Sequence, residues 1–174
     1  MRVLILGGDG YLGWPTAMHF SSRGDEVMVV DDFSKRRIEL EEGIEPLERL
    51  PALQRRVELW QKTTGLEIKI AVGSLLNHRF TYRMLEDFQP EAIVHYAEQP
   101  SAPYSMQGRD QAVFTQNNNV IGNLNLLFGM MKHCPDAHLI KLGTMGEYGT
   151  PNIDIEEGYL EIEHKGRKDL LPFP

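Results

Sequence analysis

The chain has 174 residues, 41% hydrophobic and 25% charged, enough to bury one sizeable core in a soluble globular domain. Its formal net charge of -7 and the lack of a basic stripe interleaved with aromatics argue against nucleic acid as a partner, so an anionic ligand would need local positive charge. Cys134, without a second cysteine, fits a buried thiol in a reducing compartment; no apolar run reaches the roughly 18 residues of a membrane span and no leader precedes the first strand, so the cytoplasm is the expected location.

Residues 2–6 are a short apolar run ending at Gly7 and Gly8, and residues 27–30 are another ending at Asp31 and Asp32, as expected of parallel strands buried on both faces. A helix over residues 11–23, closed by Gly24, joins them. Residues 34–65 break the rhythm with a charged stretch and two prolines, Pro46 and Pro51, before a helix over residues 50–63 whose Leu53, Val57 and Trp60 share one face. That stripe reads as packing against the domain edge.

Further apolar runs lie at residues 67–72, 92–96 and 138–142, separated by helices over residues 78–88 and 110–132. The alternation predicts an α/β, Rossmann-type doubly wound parallel sheet with right-handed crossovers, the N-terminal part of a dinucleotide-binding domain that is incomplete at residue 174. Residues 159–174 read as a hairpin turning at Lys165 and Gly166.

The glycines at 7, 10 and 13 follow a strand and open a helix, where bare backbone lets a pyrophosphate approach the amides and the helix dipole. Asp31 comes 21 residues after Gly10, the distance expected of a carboxylate that bonds the adenosine ribose. A carboxylate there repels a 2'-phosphate and favours NAD over NADP, although Lys35 and Arg36 are basic residues of the kind that can hold one.

Thr144 follows the fifth run at the carboxyl end of the sheet, where it could bond a reacting hydroxyl or be only a turn residue. Gln99 and Ser101 overhang the same crevice in a proline-rich loop. Asparagines 117–119 sit inside a helix that they do not favour, which points to a hydrogen-bonding task, with Asn119 the first choice. The six histidines do not pair with other ligands at metal spacing, so no metal site is expected, and His95 reads as a core histidine.

The glycine pattern, Asp31, Asn119 and the segment from Thr144 to Gly149 resemble the extended short-chain dehydrogenase/reductase enzymes of sugar nucleotides. More narrowly, the stretches 7–14, 101–106, 118–122 and above all 141–159 resemble the UDP-sulfoquinovose synthase family, a likeness that runs from the first strand to Pro174. The resemblance implies NAD held by Gly7, Gly10, Tyr11, Leu12, Gly13, Asp31, Asp32, Ser34, Lys35, Arg36, Ser74, Leu75, Tyr96, Ala97, Asn119 and Leu142. It implies UDP-glucose and sulfite, or a sulfite donor, as substrates, contacted by Gln99, Ser101, Thr144, Met145 and Glu147, and a homodimer.

The implied course is oxidation at sugar C4, loss of water across C5 and C6, addition of sulfite at C6 and reduction at C4, with Thr144 assisting the C4 oxygen beside a tyrosine. Related enzymes have an aspartate after the third strand, where this chain has Ser74 and Leu75, and the plant members have arginine in place of Pro100. Where dTDP-glucose 4,6-dehydratases follow the threonine with an acid-base pair, this chain has Met145 and Gly146, which leaves apolar room beside C6. The family's Tyr-x-x-x-Lys pair does not occur within the 174 residues, so the chain alone is expected to have no turnover. Another NAD-dependent UDP-sugar epimerase or dehydratase, or a non-catalytic NAD-binding module, are the competing readings.

Overall fold

The structure, a computed structural model, describes residues 1–144 and 158–173. It divides into two compact units, Met1–Leu142 and Gly143–Pro174. In the first, five parallel strands lie in the order β3-β2-β1-β4-β5: β1 (Arg2–Leu6), β2 (Glu26–Asp31), β3 (Ile68–Val72), β4 (Ala92–His95) and β5 (His138–Lys141). Each crossover carries helix, as parallel pairing requires.

Strand β1 shows why the run is apolar throughout. Its side chains alternate faces, so Leu4 and Leu6 join Leu85, Phe88, Ile93, Leu126 and Met130 in one core, whereas Val3 and Ile5 join Ala17, Val27, Val29 and Leu53 in the other. The first core is roofed by α4 (His78–Phe88) and α7 (Gly122–His133), the second by α1 (Gly13–Ser22) and α3 (Leu53–Thr64). A Cβ on Gly129 of α7 would come within 2.8 Å of Leu85, so glycine permits the close crossing of α4 and α7. Cys134 is buried in the first core.

Two helical features were not expected. Helix α2 (Ser34–Glu41) buries none of its residues and is charged on all sides, so no apolar period announces it. It is held by Asp32 Oδ1, which accepts from Ser34 N at 2.9 Å, and by pairs at i,i+4 such as Lys35 with Glu39. The predicted helix over residues 110–132 is α6 (Arg109–Gln116) running into α7 through a π-helical turn, Asn117–Ile121, which holds the three asparagines. A short α5 (Ala102–Ser105) precedes it.

Helix α3 does pack through Leu53, Val57 and Trp60, and Trp60 Nε1 donates to Ser21 Oγ of α1 at 3.0 Å. In the second unit, β6 (Gly158–His164) pairs antiparallel with β7 (Arg167–Phe173) as expected. Positive φ at both Lys165 and Gly166 suits the tight two-residue turn.

Candidate dinucleotide cleft

Strands β1 and β4 are neighbours whose crossovers depart to opposite sides, and the crevice at their carboxyl ends is where an open sheet binds its ligand. The loop after β1 begins by donating from Gly7 N and Gly8 N to Val30 O, at 2.8 and 3.0 Å, which turns the chain over the end of β2. Gly7 has φ of 83°, a conformation that disfavours any other residue. A Cβ on Gly13 would lie 2.0 Å from Gly7 O, so α1 can start against the loop only from a glycine. Gly10 differs: its nearest such contact is 3.3 Å, with nothing else near, and it lines the cleft. Packing explains Gly7 and Gly13, whereas bareness at Gly10 keeps space open beside the first amides of a helix, the arrangement that receives phosphate.

Asp31, at the end of β2, has two partners already. Its Oδ2 accepts from Asp9 N at 2.9 Å and its Oδ1 from Phe33 N at 2.8 Å, the latter holding a residue at positive φ. Each oxygen keeps a lone pair for a ligand hydroxyl. Burial pushes the Asp31 carboxyl above the usual carboxylate range, partly opposed by the two amide donors and reinforced by Asp9 and Asp32. The side chain thus braces the glycine loop as well as facing the cleft, so its removal does not leave that loop intact.

Asp9 forms a charge cluster that spacing did not announce. Its carboxylate accepts from Arg36 Nε at 2.5 Å and Nη2 at 3.0 Å and pairs with Arg56, which also donates to Asp9 O at 3.0 Å. Arg56 and Asp9 side chains are only 8% and 9% exposed, and the Arg56 guanidinium lies over the Trp14 ring. Arg36 also donates to the carbonyls of Leu50 and Pro51, and Lys35 pairs with Glu39. Arg36 is therefore engaged with a largely buried carboxylate, which reinforces the preference for free ribose hydroxyls, whereas Lys35 is exposed and held only by a surface pair.

The expected residues Gly7, Gly10, Asp31, Asp32, Ser34, Lys35, Ser74, Leu75, Tyr96 and Ala97 line this one cleft, joined by Asp9, Gly73, Glu98 and Asn118, which the sequence reading did not select. Tyr11, 89% exposed, and Leu12, Gly13, Arg36, Gln99, Ser101, Asn119 and Leu142 do not line it. Asn119 accepts from Gln99 N and donates to Gln99 O, each at 2.9 Å, so it clips the loop after β4 to the π turn. Gln99 bonds Ser101 and Thr115, and Ser101 Oγ caps α5 by accepting from Tyr104 N. The polar side chains placed over the crevice by their sequence position thus stiffen their own loop, and Asn118 reaches the cleft wall with its amide 3.3 Å from Ala97 O.

His95 is buried at the tip of β4, with Nδ1 accepting from Ala97 N at 3.1 Å and Nε2 3.7 Å from Glu98 Oε1. Burial lowers its pKa, which Glu98 opposes, so the ring is neutral near neutral pH. Glu98 in turn accepts from Asn123 at 2.9 Å and lies 3.1 Å from Lys141 Nζ. Thr144 stands at the start of the second unit, and Met145, Gly146 and Glu147 lie outside the described residues.

Known proteins share both the pattern and the topology. The chain is 47% identical over 173 residues to the chloroplastic UDP-sulfoquinovose synthase of Spinacia oleracea, covering 99% of this chain and 36% of the relative. It is 43% identical over 175 residues to the UDP-sulfoquinovose synthase of Sulfolobus acidocaldarius, covering 100% of this chain and 44% of that one. The chain therefore spans less than half the length of either. The UDP-glucose 4-epimerase of Bifidobacterium longum, solved with NAD+ and UDP, superposes on 88% of this chain and 40% of its own with a TM-score of 0.68 at 22% identity, a likeness of fold. The NAD dependent epimerase/dehydratase family matches residues 3–166, nearly every element that builds the cleft, and the chain belongs to that family.

Proposed function

We propose that the cleft holds NAD and that the chain forms the cofactor-binding part of an enzyme that makes UDP-sulfoquinovose from UDP-glucose and sulfite. The observation that carries the reading is the 47% identity to the spinach enzyme across 99% of this chain. The cleft supplies its physical basis. Of the residues lining the cleft, Asp31 would accept from the adenosine ribose hydroxyls, the glycine loop would present its backbone to the pyrophosphate, and Ser74, Leu75, Tyr96 and Ala97 would hold the rest of the dinucleotide. When bound, NAD supplies reversible oxidation at sugar C4.

The chain's own part is to bind and orient. Asn119 and Gln99 fix the loop beyond β4, and Thr144 offers a hydroxyl to the C4 oxygen where charge develops. The substrate partners are UDP-glucose and sulfite or a sulfite donor. A homodimer is supported by exposed apolar residues on α6 and α7, Val113, Leu124, Leu127, Phe128 and Met131, joined by Val120 of the π turn. On α7, Leu124, Leu127, Phe128 and Met131 recur at steps of three and four, so they share one face.

Incubating the full-length protein with NAD, UDP-glucose and sulfite, and following products by mass spectrometry, tests the reading. A sulfonated UDP-hexose is expected, and UDP-galactose formed without regard to sulfite would overturn the proposal in favour of an epimerase. In the same assay Thr144→Ala is expected to lower kcat more than it raises KM, the pattern of an interaction made in the transition state.

A further inference from the structure

The cluster around Asp9 does something that neither the glycine spacing nor Asp31 explains. Arg36 begins only five residues after Asp31, in the first turn of α2, and Asp9 N is bonded to Asp31 Oδ2, so guanidinium, loop and ribose carboxylate are contiguous. A cation in that place is what a 2'-phosphate needs. Yet each of the three guanidinium nitrogens already has an acceptor elsewhere. Nε bonds Asp9 Oδ2 at 2.5 Å, Nη2 bonds Asp9 Oδ1 and Pro51 O at 3.0 Å each, and Nη1 is 3.4 Å from Leu50 O. Arg56, coming from α3, holds the same carboxylate from a buried position, so Asp9 cannot swing away without leaving Arg56 uncompensated.

We infer that Asp9 is a specificity-determining residue: by sequestering Arg36 it denies a 2'-phosphate its cation and reserves the cleft for a dinucleotide with free ribose hydroxyls. Asp31 repels the phosphate directly, and Asp9 removes the charge that would offset that repulsion. The inference rests on the NAD reading of the cleft.

The test compares NAD and NADP binding by calorimetry for the full chain, Asp9→Asn and Asp9→Asn/Arg36→Gln. Asparagine keeps the shape and one acceptor for Arg56 but loses the charge that fixes Arg36. In Asp9→Asn the affinity for NADP relative to NAD is expected to rise about fivefold or more, the scale of one charge-assisted bond to phosphate, and adding Arg36→Gln is expected to remove the gain. A ratio within about twofold of the parent in Asp9→Asn, or a gain that survives Arg36→Gln, would overturn the inference while leaving NAD binding standing. A parent protein that binds neither dinucleotide would overturn the NAD reading and this inference with it. If Asp9→Asn fails to fold, Arg36→Gln alone decides: NADP affinity equal to the parent's supports the inference, and a loss of about fivefold shows that Arg36 already reaches the phosphate and refutes it.

Discussion

Replacing Arg56 with methionine keeps most of the side chain's volume and removes its charge, which isolates what the ion pair with Asp9 contributes. Both side chains are about one-tenth exposed, so the pair is largely desolvated, and deleting one partner of a buried pair costs about 3 to 5 kcal/mol. Two features reduce that figure here. Arg36 still donates twice to Asp9, so the carboxylate is not orphaned, and the buried Arg56 Nε has no hydrogen-bond partner, so its removal relieves a desolvation cost of about 1 kcal/mol or more. Loss of the contact over Trp14 adds back about 1 kcal/mol. The net expectation is a destabilisation of about 2 to 3 kcal/mol, read from urea denaturation, with weaker NAD binding because the glycine loop loses its tether to α3. The same substitution in an Asp9→Asn background is expected to cost about half as much or less. A change under about 0.5 kcal/mol, or an equal loss in both backgrounds, would show that the cluster does not brace the loop.

Asp31→Ala is expected to weaken NAD binding by about 1.5 to 3 kcal/mol and also to lower stability, because the amides of Asp9 and Phe33 lose their acceptor; unchanged affinity by calorimetry would reject the assignment. Since burial raises the Asp31 pKa, its ionisation costs folding energy, so this group favours the fold most when protonated and loses that contribution as pH rises through its folded pKa. NAD affinity runs the opposite way and is expected to fall on acidification at a pH above the usual carboxylate range, whereas a fall confined to that range would refute the shift. His95, with its pKa lowered by burial, favours the native state above the usual imidazole range, and thermal melts are expected to show that contribution lost as pH falls through the folded pKa; His95→Gln should blunt the loss. Gly13→Ala puts a Cβ 2.0 Å from Gly7 O and is expected to abolish NAD binding through displacement of α1, so parent-like titrations would refute the packing argument.

The parallel strands and the phosphate loop were legible because both are governed by local rules: apolar runs buried on two faces, and glycines where backbone must be bare. Asn119 was half legible. Three asparagines inside a helix signalled a hydrogen-bonding task, but the partner, the Gln99 backbone, is fixed by how the π turn lies against the loop after β4, which no spacing encodes. Asp9 was not legible at all, since it sits at a free position between glycines and its partners come from 27 and 47 residues away. Arg56 in particular stands on a helix with a clear apolar stripe, and a charged residue on such a helix ordinarily belongs to the solvated face. The stretch from residue 34 to 65 interrupts the alternation of strands and helices, and by pattern only its apolar stripe has an evident role, packing at the domain edge. Two of its five arginines, Arg36 and Arg56, instead converge on the one carboxylate of the glycine loop. The insertion is therefore part of the cleft's machinery, and a change of ligand preference would have to pass through residues of α2 and α3 as much as through the glycines themselves.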